Sequence, residues 1–257
     1  MSGAKGMTAA ALAAALIAGG TQAEATVLFR NTGTTSGWNQ ILVEHWGSVS
    51  QVTSPVFKGS TAIKATQVYD PNWSLRYHSE VIRNDGYKPG QMRFYGFAFY
   101  LPANWQFVSQ GFNIMQFEAD FASSCDGYMP TTMMWISSTS LSTRTKSGTV
   151  CSQSLQTYSG IASVTAGQWH RVVVQANWQS NTTGYFKVWY DGAKKLERYG
   201  IATTISDPAN RTLQYRVGNY ANGWYQKAMV GTQGTRSIYF DQIAVGTTFA
   251  DVDPNAW

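Results

Sequence analysis

The sequence has few cysteines, few charged residues and no long apolar run beyond its first 25 positions. Charged residues make up 13% of the 257, and Lys and Arg outnumber Asp and Glu by 19 to 14 without clustering. A nucleic-acid-binding protein more often shows a basic stripe or a known module. A membrane span needs roughly 20 apolar residues, and no later segment comes close. We therefore expect no nucleic-acid or membrane partner, while the formal charge of +5 favours an acidic one.

The N-terminal stretch MSGAKGMTAAALAAALIAGGTQAEA is typical of a secretory signal peptide. Lys5 precedes an alanine-rich run, and small residues suited to cleavage follow near Ala23 or Ala25. The run is too short to cross a bilayer comfortably. We expect residues 1–23 to be a signal peptide and residues 26–257 to form a single domain. The mature protein would be secreted, extracellular and monomeric.

Only two cysteines are present, Cys125 and Cys151. In an exported chain the simplest inference is a disulfide that closes the Ser/Thr-rich segment between them. Neither has the His or Cys spacing that a metal pair or a catalytic thiol would need.

Short alternating runs dominate the rest of the chain, among them QMRFYGFAFYLP, HRVVVQANW and GYFKVWYDG. They are rich in aromatic and β-branched residues and are bounded by turn residues, which is typical of strands. Asp191-Gly192 between two such runs predicts a hairpin. The pattern predicts an all-β fold, a concanavalin-like jelly-roll sandwich of two antiparallel sheets, with a short connecting helix in PANWQFVSQG at most. In that fold His170 is expected to be structural.

Three of the predicted strands carry a polar stripe opposite an apolar one. Successive strand residues point to opposite faces. In SLRYHSEVIR, residues 74–83, this rule places Leu75, Tyr77 and Val81 on one face of the strand and the polar residues on the other. A polar face on one strand would be explained by solvent exposure. Polar faces of this composition on three strands favour a groove lined by their side chains. The polar faces hold Arg76, His78 and Glu80; Gln116, Glu118 and Asp120; and Arg216, Gly218 and Tyr220.

These stripes resemble elements of jelly-roll polysaccharide lyases. YHSEV resembles their R-S-E-L element, with His78 in the place of the arginine. MQFEA resembles their Q-I-H element, keeping Gln116 but carrying Glu118 for histidine, which argues against the commoner family-7 alginate lyases. YRVGNY resembles their K-x-G-x-Y element, with Arg216 for lysine and Tyr220 at the position of the catalytic tyrosine. In this order, across most of the mature chain, the elements are most similar to the family-20 lyases, the glucuronan lyases.

The resemblance implies endo-cleavage of β-1,4-glucuronan by β-elimination, with alginate or another polyuronate as the alternative substrate. Such a reaction needs the uronate carboxylate neutralised, and Gln116 and His78 are the candidates. It also needs a base and an acid. Tyr220 could fill both roles, with Tyr225 in reserve. Because a tyrosine has a pKa near 10, a cationic neighbour such as Arg216 or His78 would be needed to favour the phenolate.

The remaining candidates would bind substrate or order the groove. Glu80 with Arg76 or Arg83 is expected to form ion pairs there. Glu118 and Arg216 would line the substrate site, and aromatic residues would stack on sugar rings: Trp224, with Trp105 and Tyr87 as further possibilities.

Asp241, in the last predicted strand, resembles the calcium ligand of related jelly rolls, which implies a structural Ca²⁺ and no organic cofactor.

Two other classes of function stay open. A laminarinase-type hydrolase also alternates carboxylates, as Glu118 and Asp120 do, but residues 121–124 are FASS and lack its further glutamate. A non-catalytic lectin-like module would keep groove aromatics without needing His78, Gln116 and Tyr220 together.

Overall fold

Strands account for most of the chain in a computed structural model, which describes residues 1, 26–121, 125 and 128–257. The predicted signal peptide lies outside the described residues except for Met1. Among those described, no helix is long and apolar enough to cross a membrane. The strands are β1 (Val27–Asn31), β2 (Gln40–Val43), β3 (Ser48–Val52), β4 (Ala62–Val68), β5 (His78–Tyr87), β6 (Met92–Tyr100), β7 (Phe112–Asp120), β8 (Tyr128–Ser137), β9 (Ser140–Gly148), β10 (Gln153–Ser163), β11 (Trp169–Asn177), β12 (Gly184–Tyr190), β13 (Ala193–Ile201), β14 (Leu213–Tyr220) and β15 (Thr235–Gly246).

The strands form two antiparallel sheets that pack face to face. The first sheet has the order β13-β12-β11-β6-β15-β4-β3, and β1 pairs with the second half of β15. The second sheet has the order β10-β9-β8-β7-β14-β5-β2. The prediction of an all-β jelly-roll sandwich is confirmed. Strands that are far apart in sequence, such as β5, β7 and β14, become neighbours in the second sheet.

Alternation along each strand separates the core from the outer face of the second sheet. In β7, Met115 and Phe117 belong to the core between the sheets, whereas Gln116 and Glu118 lie on the other face. Burying one such large apolar side chain stabilises the fold by about 1.5–3 kcal/mol. The core therefore fixes which way the polar stripe of β7 points.

Part of the strand predicted at residues 74–83 is instead a loop. β5 begins at His78, and Leu75 is 56% exposed, so the prediction that Leu75 faces the core is wrong. The Tyr77 hydroxyl donates to the carbonyls of Asp70, at 2.9 Å, and Trp73, at 3.1 Å. These bonds fold residues 70–76 into a loop that places Leu75 and Arg76 at the surface.

The other local predictions have mixed outcomes. Asp191 and Gly192 both have positive φ, 50° and 82°, and form the two-residue turn between β12 and β13, as predicted. No helix forms at residues 102–111. That segment is tied instead by Gln106 Oε1, which accepts the backbone N–H groups of Thr232 and Gln233. The described helical segments are a 3₁₀ turn at Asn222–Trp224 and α1 at Phe249–Val252.

Cys125 and Cys151 form the predicted disulfide, with a Cα–Cα distance of 5.2 Å. It joins the segment before β8 to the turn after β9. His170 is buried, with Nδ1 2.9 Å from Asp191 Oδ2 and Nε2 3.0 Å from the Thr165 carbonyl oxygen. These contacts connect β11 to the hairpin turn and suit the structural role expected of His170.

Candidate active site

Strand register brings the polar stripes together on the outer face of the second sheet. Tyr220 on β14 lies directly opposite His78 on β5. Farther along β14, Arg216 lies opposite Gln116 on β7. In turn Gln116 lies opposite Met133 on β8, and Met133 opposite Arg144 on β9. A row of side chains thus crosses the sheet, although its members lie between positions 116 and 216 of the sequence.

This face carries three adjoining cavities, which we call together the cleft. The central cavity has a volume of about 210 Å³. The Trp135 cavity, about 350 Å³, shares Met133, Arg144, Asn222 and Tyr225 with it. The Glu44 cavity, about 360 Å³, shares Arg76, His78 and Glu118 with it. The central cavity is lined by Arg76, His78, Gln116, Glu118, Pro130, Met133, Arg144, Tyr220, Asn222 and Tyr225.

His78 is buried against Tyr220, with ring centroids 3.8 Å apart. Its Nδ1 lies 3.3 Å from Glu44 Oε2, an ion-pair distance without hydrogen-bond alignment, and its backbone N–H donates to the same oxygen at 3.1 Å. Burial by itself raises the pKa of Glu44, but the His78 ring and backbone N–H outweigh burial and lower it. Nε2 of His78 has no hydrogen-bond partner among the described residues. Glu44 therefore orients the ring from one side, and the buried Nε2 on the other side has no described protein partner.

The Tyr220 side chain is held in its protonated form. Burial raises its pKa well above 10, Arg76 opposes this, and the carboxylates of Glu80, Glu118 and Glu44 add to it. The expectation that Arg216 favours the phenolate is wrong. Four residues of strand put roughly 13 Å between Arg216 and Tyr220, even though both project from the same face.

Arg216 belongs to a buried polar cluster beneath the cleft. Its Nη1 lies 2.9 Å from Glu118 Oε2 and 3.8 Å from Glu80 Oε2, and its Nε and Nη2 both donate to Gln214 Oε1. Gln116 Nε2 donates to both carboxylate oxygens of Glu80, at 3.0 and 2.9 Å. Burial raises the pKa of Glu118, and Arg216 offsets that only in part. The described partners of Glu80 are thus Gln116 and Arg216, and not the Arg76 or Arg83 expected from the sequence.

Three charged residues of the cleft, Glu44, Arg144 and Lys227, were missed from the sequence. Glu44 follows β2, and β2 pairs with β5 so that Glu44 reaches His78. Arg144 lies in SLSTRTKSG, where Ser142, Arg144 and Lys146 alternate with Leu141 and two threonines. That alternation is the same signal that identified the other three stripes, and it would have identified Arg144.

Comparison with known proteins assigns the family. The polysaccharide lyase family matches residues 30–244. The chain belongs to the polysaccharide lyases. The endo-β-1,4-glucuronan lyase from the fungus Trichoderma reesei is similar to this lyase over 90% of this chain and 100% of that chain, with 48% identity and a TM-score of 0.88. The resemblance to family-20 lyases is confirmed, and the hydrolase and lectin alternatives lose their support.

Two other solved structures share the fold of this lyase at 13% identity. The cellulose-induced protein Cip1 has a TM-score of 0.56 over 86% of this chain and 97% of its own. The marine PL-14 alginate lyase from Aplysia kurodai has a TM-score of 0.51 over 86% of this chain and 98% of its own. Among curated proteins, none matches the chain.

Some predicted site residues of the lyase lie away from the cleft. Arg83 pairs with Asp85 at 2.8 Å and does not line the cavities. Trp224 is fully buried and packs edge-on against Tyr77 and Phe112, so it cannot stack on a sugar. Trp105 and Tyr87 are also core residues, and Asp120 is exposed outside the three cavities. The aromatic side chains of the cleft that are partly exposed are Trp135 and Tyr225, and the Arg76 guanidinium lies 5.8 Å from the ring centroid of Tyr225.

Asp241 is fully buried in β15 and is held by backbone N–H groups. Its Oδ2 accepts from Phe57 and Lys58, and its Oδ1 from Gln242. Oδ1 accepts one such bond and keeps a second acceptor direction. The described residues contain no group of three His, Cys, Asp or Glu side chains suited to a metal. The contacts described around the carboxylate are N–H donors and not the oxygen ligands that calcium prefers, so the expected Ca²⁺ at Asp241 stays a prediction.

Proposed function

We propose that this lyase is a secreted, endo-acting enzyme that cleaves β-1,4-linked glucuronan by β-elimination. The observation that carries the proposal is the His78–Tyr220 pair, with ring centroids 3.8 Å apart, in the central cavity that Gln116 also lines. The 48% identity to an endo-β-1,4-glucuronan lyase supports the substrate. The Glu44 and Trp135 cavities continue on either side of the pair, which suits binding in the middle of a chain. The disulfide suits an exported protein.

The reaction breaks the C5–H and C4–O4 bonds of a uronate and forms a C4–C5 double bond. In β-1,4-glucuronan the C5 hydrogen and O4 lie on the same side of the ring. Two groups on one wall of the cleft can therefore reach both the C5 hydrogen and O4. Nε2 of His78, free of protein partners and oriented through Glu44, accepts the C5 proton. Tyr220, held protonated by its surroundings, donates to O4.

Charge develops on the substrate carboxylate when the C5 proton leaves, so cationic and N–H groups must face it. In this assignment one N–H of Gln116 is shared between the two Glu80 oxygens, and the second N–H faces the substrate. Arg76 lies at the junction of the central and Glu44 cavities. We assign these two side chains to the carboxylate of the reacting sugar. Donors of this kind each contribute on the order of 3 kcal/mol where they act on developing charge.

The test is ultraviolet absorbance during incubation with purified polyuronates. The C4–C5 double bond of the product is conjugated to the carboxylate and absorbs, whereas hydrolysis yields reducing ends without that absorbance and a lectin yields neither. We expect the largest rate on glucuronan and little on alginate, with a rapid fall in viscosity that marks endo-cleavage. A faster rate on alginate or another polyuronate would overturn the substrate assignment.

We also propose a structural Ca²⁺ at Asp241. The ion would supply positive charge to a buried carboxylate and join β15 to the segment around Phe57 and Lys58. Because Asp241 lies on the sheet opposite the cleft, its expected role is stability and not chemistry.

A further inference from the structure

Arg144 is a cation of the cleft that the proposed reaction does not use. It projects from β9 into both the central and the Trp135 cavities. No described residue forms an ion pair with it, and its Nε is buried without a hydrogen-bond partner. The Nε of Arg144 therefore lacks the hydrogen bond that a buried polar atom normally makes. Burial lowers its pKa, and the nearby Tyr220 and Glu118 side chains oppose this only in part.

The other two arginines of the cleft, Arg216 and Arg76, lie beside carboxylates. Arg216 is paired with Glu118 at 2.9 Å. Arg76 borders the Glu44 cavity, whose lining includes the carboxylates of Glu44 and Glu118. The charges at that end of the cleft are mixed.

The Trp135 cavity is different. Its described lining holds two cations, Arg144 and Lys227, and no carboxylate. Lys227 is exposed, so its attraction for an anion is screened, while Arg144 is partly buried and screened less. The Trp135 cavity, about 350 Å³ in volume, adjoins the central cavity and shares Arg144 with it.

We propose that Arg144 binds the carboxylate of the uronate next to the reacting sugar, seated in the Trp135 cavity. This inference rests on the proposed function, because it assumes a polyuronate substrate. Such a polymer presents one carboxylate per sugar, so a cleft that holds several sugars needs a cation for more than the reacting one. The planar guanidinium can form two parallel bonds to a carboxylate, which an ammonium group cannot. Arg144 is then a specificity-determining residue that requires an acidic sugar at this position.

The test compares Arg144→Gln with Arg144→Lys by the absorbance assay. A contact made equally in ground state and transition state changes KM and not kcat. A charge-assisted contact of this kind predicts a KM about 10- to 100-fold higher for Arg144→Gln, with kcat within about threefold of the parent. Arg144→Lys should recover part of the loss. Arg93→Gln is the matched control: Arg93 also has a buried Nε without a partner, but it lies on β6 in the other sheet.

Binding measured by calorimetry separates a carboxylate contact from a structural role. The ligands are a glucuronan tetrasaccharide and its carboxyl-reduced, neutral counterpart, titrated into Tyr220→Phe with and without Arg144→Gln. We expect the second substitution to weaken only the acidic ligand. Equal weakening of both ligands, an unchanged KM, or a loss confined to kcat would overturn the inference. If the parent protein cleaves no polyuronate at all, the proposed function fails instead, and that outcome is visible before any Arg144 variant is made.

Discussion

Replacing Tyr220 with phenylalanine separates the chemistry of the cleft from its shape. Tyr220 is 6% exposed, and its ring packs against His78. No described residue forms a hydrogen bond with its hydroxyl, so the substitution leaves no protein group unpaired. The ring and its contacts stay. We therefore expect the free energy of unfolding to change by no more than about 1 kcal/mol.

The effect on turnover should be far larger. If the hydroxyl delivers the proton to O4, its removal takes away a general acid, which is worth roughly 10²- to 10⁴-fold in rate. That range corresponds to about 3–5 kcal/mol of activation free energy. Binding of a glucuronan oligosaccharide should be nearly unchanged, because the stacking surface is retained.

The assay is the initial rate of ultraviolet absorbance on glucuronan, together with a thermal melt and calorimetric binding. Tyr215→Phe is the matched control, since Tyr215 lies on the same strand with a buried, unpaired hydroxyl but faces the core. A Tyr220→Phe rate within tenfold of the parent would refute the assignment. Tyr225→Phe, in the same cavity, would then show whether the second tyrosine carries the proton.

Three further outcomes follow from particular contacts. The pKa of Glu44 is lowered in the fold because His78 outweighs burial, so the stabilisation is present above the unfolded pKa and lost as pH falls. The gap in melting temperature between the parent and Glu44→Gln should therefore narrow from about pH 7 to about pH 3. Cys125→Ser removes the disulfide to Cys151, which lies 26 residues farther along the chain. The loss should lower the free energy of unfolding by about 2–4 kcal/mol in denaturant titrations. Asp241→Asn should abolish a rise in melting temperature on adding Ca²⁺; an equal rise in both proteins would place the ion elsewhere.

Local alternation in the sequence was enough to predict a β-sandwich and, within the strands that form, the face of each polar stripe. Because successive strand residues point to opposite faces, Gln116 had to face away from Phe117 wherever β7 lay in the sheet. The same rule placed His78 and Tyr220 on polar faces. Two cysteines that follow a predicted signal peptide were likewise enough to predict their disulfide. These inferences depend only on neighbouring residues or on composition.

Strand order, register and burial were decided by the tertiary structure. Nothing local indicates that β2 borders β5, yet that pairing brings Glu44 to His78. The pKa of Tyr220 depends on burial and on carboxylates from three other segments, so the sequence led to the wrong cation, Arg216. Trp224 could not be distinguished from a sugar-stacking tryptophan until the core closed around it. Pairing between distant strands sets which charges meet, and only the folded chain brings those strands together.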